Sequence, residues 1–118
     1  MRIILLCALG LTACSGTKRN ETLYRQDTRA VLDTRRDQIA SCYDRALATA
    51  PRSAGMVTVK FVVEKKTGVF KSATVDPAKS NATEPLVVCV LAAVRGLALD
   101  PPDSNEGQAT FVYDFQPA

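Results

Sequence analysis

Four cysteines and no histidine set the chemistry open to this chain. Cys14 closes the tetrapeptide Leu11-Thr12-Ala13-Cys14, which follows Arg2 and an apolar run from Ile3 to Leu11. A bacterial lipoprotein export signal has that order. A cation holds the start at the cytoplasmic face, a short apolar core enters the translocon, and small Thr12 and Ala13 admit the backbone to a peptidase. The run falls short of the roughly 20 residues that a membrane-spanning helix needs. A buried strand or helix would have no reason to end in two small residues and a cysteine beside polar Ser15-Gly16-Thr17-Lys18-Arg19. Residues 1–13 are therefore expected to leave as a signal peptide, with Cys14 as the first mature residue and the carrier of the lipid. Two or three acyl chains, at about 0.8 kcal/mol per buried methylene, hold a protein stably to one leaflet. The expected location is a membrane facing the periplasm. Ser15 after the cysteine, where Asp would mark retention in the enteric sorting pattern, favours the outer membrane.

Cys7 leaves with the signal and Cys14 is acylated, so Cys42 and Cys89 remain as a pair in an oxidising compartment. One disulfide between them is expected, closing a loop of about 46 residues that the chain-entropy model values at roughly 4 kcal/mol. A redox or metal role has little to stand on. There is no Cys-x-x-Cys, and without His no Cys/His zinc site can be assembled, so neither metal nor cofactor is expected. No nucleophile and base stand out either: Ser41 beside Cys42 and Tyr43 reads as a helix-surface hydroxyl, and the carboxylates fall on polar faces and turns. The chain is not expected to be an enzyme. Its 15 Lys plus Arg against 12 Asp plus Glu are well mixed, unlike the clustered cations of a nucleic-acid binder. Lys18-Arg19 could touch anionic headgroups, although a solvated tether explains it as well.

The elements that would position these residues follow from periodicity. Residues 14–22 are small or polar and read as a lipidated tether, leaving one domain over residues 23–118. From Leu23 to Ala50, Val31, Leu32, Ile39, Cys42, Tyr43, Ala46 and Leu47 recur at helical spacing. This predicts one amphipathic helix, frayed or projecting before about Val31. Met56 to Glu64 alternates with Val57, Val59, Phe61 and Val63 on one face, Lys65-Lys66-Thr67-Gly68 forms a turn, and Val69 to Asp76 returns with Val69, Ala73 and Val75 on one side. Pro77 stops this hairpin. Thr83 offers a cap for a second helix carrying Leu86, Cys89, Val90, Ala93, Val94 and Leu97, which ends at Gly96 and the Asp100-Pro101-Pro102-Asp103 segment. Ala109, Phe111, Tyr113 and Phe115 then alternate along a closing strand.

Ile39-Ala40-Ser41-Cys42-Tyr43, Gly55 before Val57-Thr58-Val59-Lys60-Phe61, Gly68-Val69 and Ala73-Thr74-Val75 stand in the first half. Cys89-Val90, Leu97, Pro101-Pro102 and Phe111-Val112-Tyr113-Asp114-Phe115 stand in the second. In this order they resemble the AgmX/PglI C-terminal domain, a bacterial relative of the TonB C-terminal domain, over roughly Val31 to Phe115. The resemblance implies an α+β fold of order α-β-β-α-β, a three-stranded antiparallel sheet with two helices on one face. It also implies a final strand at a sheet edge, where it can pair with an extended peptide of an envelope protein. The residues that would face such a partner are Gln108, Thr110, Val112 and Asp114, while Phe111, Tyr113 and Phe115 pack inward. The partners so implied are the membrane, through Cys14, and an envelope protein or peptide, with no nucleic acid. A structural subunit of an envelope complex, or a homo-oligomer built by edge pairing, is the alternative. Should the edge not bind, the exposed face of the first helix around Arg35, Arg36 and Arg45 is the next surface.

Overall fold

The computed structural model describes residues 17–117, so the expected signal peptide over residues 1–13 and the expected lipidation at Cys14 lie outside the described residues. The chain runs α1 (Glu21–Asp33), α2 (Arg36–Thr49), β1 (Gly55–Val63), β2 (Phe70–Val75), a 3₁₀ turn (Pro77–Lys79), α3 (Glu84–Val94) and β3 (Gly107–Phe115). The three strands form one antiparallel sheet in the order β2-β1-β3. Both termini of the order α-β-β-α-β are as expected, but the first helix is two helices.

The break lies at Thr34 and Arg35. The Thr34 amide and hydroxyl both donate to the Val31 carbonyl, at 3.1 and 2.7 Å, and the Arg35 amide donates to Leu32 at 3.0 Å. These tight three-residue bonds end α1. The Arg35 guanidinium then reaches across to the Ala93 carbonyl at 2.8 Å, tying the corner to the end of α3. The apolar rhythm carries through the corner because Leu32 and Ile39 are both buried.

The first half of this region neither frays nor projects. Asn20 caps α1 by accepting from the Leu23 amide at 2.8 Å. Residues 17–22, read from sequence as tether, belong to the folded body. Ser104 donates to the Thr17 carbonyl at 2.7 Å, and the Arg19 side chain is 3% exposed. Polar residues can be structural when their partners lie far away in the chain, here 82 to 84 positions on.

Val57, Val59, Phe61 and Val63 of β1 point into the core as the alternation predicts, meeting Leu32, Ile39, Cys42, Leu86, Val90, Val94, Leu97 and Leu99. Thr58, on the opposite parity, is also buried, because its hydroxyl donates to the Lys79 carbonyl and its amide to Ser80 Oγ. In β2 the expected parity holds for Ala73 and Val75, which pack against the core, and fails at Val69. Register slips by one residue between Lys60 and Val62, and Ser72 takes φ 57° there, so Phe70 becomes the buried residue while Val69 is exposed. Gly68, at φ 74°, makes the turn. A Cβ there would lie 2.0 Å from the Leu99 carbonyl oxygen.

Candidate partner-binding edge

Strand β3 pairs with β1 over its full length, from Gly107 opposite Val63 to Phe115 opposite Gly55. Its side chains alternate strictly: Gln108, Thr110, Val112 and Asp114 are exposed, whereas Ala109, Phe111, Tyr113 and Phe115 turn toward the helices. The Phe115 ring packs tilted against Tyr43 at 5.0 Å between centroids, and Phe61 lies between Phe70 and Phe111 at 4.5 and 6.1 Å. These aromatics are core, which anchors the strand without using its outer backbone.

The direction of that backbone follows from β1. The Thr58 carbonyl accepts from Asp76 and the Met56 carbonyl from Asn81, both on the β2 side. In an antiparallel ladder, residues alternate between bonding one neighbour and the other. Met56, Thr58, Lys60 and Val62 therefore turn away from β3, and their opposites Asp114, Val112, Thr110 and Gln108 turn their amides and carbonyls to the free side of the sheet. The four residues singled out from sequence are the four whose main chain faces outward.

The two edges of the sheet are not equivalent. Beside β2, the Leu97 carbonyl accepts from the Phe70 amide at 2.9 Å and the Leu99 amide donates to Gly68 at 2.8 Å, so residues 97–99 close the start of that edge. Beside β3, no backbone segment among the described residues is paired with the outward groups. Instead α1 runs along the strand and leaves a groove of about 510 Å³, lined by Tyr24, Arg25, Thr28, Glu106, Gln108 and Thr110.

The groove wall is held by a buried charge network absent from the sequence reading. Arg19 Nε donates to Asp27 at 2.7 Å, its Nη1 to Asp103 at 3.3 Å and its Nη2 to the Pro101 carbonyl at 2.8 Å. The Arg19 amide also reaches Asp103, at 2.9 Å. Asp103 is 1% exposed, so both of its oxygens are used inside the fold, the second by the Asn105 amide at 3.0 Å. This clamps the start of α1 to the segment that leads into β3. Tyr24 completes the joint by donating to the Asn105 carbonyl at 3.1 Å, and its ring lies where a Cβ on Gly107 would collide. Burial, aided by the charge of Asp103, raises the Tyr24 phenol above its ordinary pKa. Burial and Asp33 do the same to Tyr113. Nothing local marks Arg19 or Asp103 as structural.

The disulfide is present: Cys42 of α2 joins Cys89 of α3 with Cα atoms 5.7 Å apart. The alternative surface on the first helical region is less free than expected. Arg35 is bonded to the end of α3, Arg45 donates to Cys89 Sγ at 3.2 Å, and Arg36 pairs with Asp33. Among the described residues no group of three His, Cys, Asp or Glu could hold a metal ion, and no helix is long and apolar enough to cross a membrane.

No family model matches the chain, and no curated protein matches it. Among solved structures, it is similar to the solution NMR structure of the Helicobacter pylori TonB C-terminal domain, residues 179–285. The TM-score is 0.51 at 20% identity, with 84% of this chain and 96% of that chain covered. The likeness is one of fold: a three-stranded antiparallel sheet with its helices, α+β.

Proposed function

We propose that this chain is a lipid-anchored, extracytoplasmic protein-binding module of the bacterial envelope, which takes up a partner by adding an extended segment to β3. The observation that carries this reading is the free edge of β3, nine residues long, with its outer amides and carbonyls unpaired among the described residues. Such an edge supplies main-chain hydrogen bonds for affinity, and the exposed side chains of Gln108, Thr110, Val112 and Asp114 supply selectivity. The fold it shares with a TonB C-terminal domain, and the AgmX/PglI-like residues noted above, support an envelope interaction role. The lipobox at Leu11 to Cys14 supports the anchor, and the reading involves no catalysis. The alternative is a structural subunit whose edges pair with one another.

Val112 provides the test. Its amide faces outward, so Val112→Pro removes no bond of the β1–β3 ladder, while it denies one to an added strand. A photo-reactive side chain at Asp114 in living cells should cross-link an extended segment of another envelope protein. Val112→Pro should cut that yield about tenfold, the equivalent of roughly one lost hydrogen bond and its neighbour's fit, whereas Val112→Thr should keep it. Circular dichroism checks that both variants fold. Cross-links to a second copy of this chain would favour the structural subunit, and an unchanged yield from folded Val112→Pro would remove the edge as the interface.

A further inference from the structure

We infer that the hollow beside Ala109, between α1 and β3, is a side-chain pocket of the binding edge and takes an aromatic residue of the added segment. The inference rests on the reading of β3 as that edge. It starts from the uneven row of side chains that β3 turns toward the helices. Phe111, Tyr113 and Phe115 are large, whereas Gly107 has no side chain and Ala109 has a single methyl. The Tyr24 ring fills the place left at Gly107, where a Cβ would lie 2.7 Å from it. Ala109 stays only half-buried and lines the groove of about 510 Å³.

The walls of that hollow are set before any partner arrives. The Tyr24 hydroxyl donates to the Asn105 carbonyl at 3.1 Å, which fixes one ring, and Phe111 is stacked beside Phe61 with centroids 6.1 Å apart, which fixes the other. Thr28, 1% exposed, closes the helix side, its hydroxyl spent on the Tyr24 carbonyl at 2.7 Å. Arg25 stands at the mouth, and its one ion pair among the described residues is an exposed 3.9 Å contact with Glu21. So open a pair holds a guanidinium weakly, which leaves it able to lie over the face of a ring bound below. Charge does not choose the occupant, because Glu21 and Glu106 offset Arg25 around the groove. Shape and aromatic contact do. In a strand paired with β3, every second side chain stands on the helix side, and the one opposite Ala109 has its Cβ about 4.5–5.5 Å from the Ala109 methyl. A flat ring there meets Tyr24 toward Gly107 and Phe111 toward the other end, in the offset or edge-on contacts that aromatic pairs prefer. A small side chain would leave the hollow unfilled.

Three synthetic peptides test the pocket against the full chain, purified in detergent from a bacterial host. Each has nine residues, the length of β3, with alternating Thr and Ser and with Trp, Leu or Thr at the fifth position. Isothermal titration gives the affinities. The chain has no tryptophan of its own, so indole emission reports burial of the peptide's ring. The Trp peptide should bind about tenfold more tightly than the Thr peptide and about threefold more tightly than the Leu peptide, with its emission shifted to the blue. Ala109→Phe fills the hollow and should bring the Trp-to-Thr ratio close to one, and the smaller Ala109→Leu should bring it part of the way; circular dichroism checks both folds. Val112→Pro should weaken all three peptides. Equal affinity for the Trp and Leu peptides, or a tenfold ratio kept by the folded Ala109 variants, overturns the aromatic pocket alone, provided that Val112→Pro still weakens binding. Failure of every peptide to bind, or binding untouched by Val112→Pro, defeats the edge and the pocket together.

Discussion

At the scale of single residues, two cross-links hold distant parts of this small domain, and they should respond differently to mutation. Cys42 and Cys89 stand 47 positions apart, so reducing or removing the bridge frees a long loop in the unfolded chain. Cys42→Ser and Cys89→Ser should each cost roughly 4 kcal/mol in chemical denaturation, and the double variant should cost little more than either, since one bond is lost in all three. Additive losses would show that the two sulfurs contribute as separate core groups. Arg19 and Asp103 form the second cross-link, with side chains 3% and 1% exposed. Removing one partner strands the other charge, so Asp103→Ala should cost about 3–5 kcal/mol, and replacing both should cost less than the sum. Asp27→Ala, at a carboxylate 39% exposed, should cost well under that.

At the scale of elements, the β1–β2 hairpin shows how one backbone position governs a larger joint. Gly68 allows the turn at φ 74° and also lets the Leu99 carbonyl approach, which closes the start of the β2 edge. Gly96 has a similar φ of 82° but nothing within 4 Å of a Cβ position. Gly96→Ala should therefore cost only the conformational penalty of about 1–2 kcal/mol, while Gly68→Ala should cost several kcal/mol and expose the β2 edge to exchange. Equal thermal shifts for the two variants would mean that the close approach at Leu99 carries no weight. The slip at Ser72 belongs to the same hairpin. It lets Phe70 stack on Phe61 at 4.5 Å although strict alternation would have sent Val69 inward.

At the scale of the molecule, the helices cover one face of the sheet, and the stability of that cover depends on pH at the alkaline side. Tyr24 and Tyr113 both hold their phenol protons more firmly in the fold than the ordinary value of 10.0. A raised folded-state pKa means that the unfolded chain releases those protons first. The stability they contribute is therefore whole below pH about 10 and is lost as pH rises through the folded-state values. Thermal midpoints measured from pH 8 to pH 11 should fall above pH 10, and Tyr113→Phe should flatten part of that fall. A decline equally steep in Tyr113→Phe would assign it to other groups.

The residues of the sequence were enough for whatever depends on local period and on elimination. Alternation in Val57 to Val63 placed β1, helical spacing placed Cys42 and Cys89 on inward stripes, and a chain without histidine left the two cysteines to each other. The outward residues of β3 were legible too, since side-chain parity and main-chain parity coincide in a regular strand. What needed the tertiary structure was anything settled by partners far along the chain. A corner at Thr34 and Arg35 looks like continuous helix until Arg35 finds the carbonyls at the end of α3. Lys18 and Arg19 look alike in the polar stretch after Cys14, yet the side chain of one is exposed and that of the other buried, because only the fold brings Asp103 to Arg19. A one-residue slip in β2 reverses which of Val69 and Phe70 is inside, since pairing across strands, rather than composition along one, decides the register.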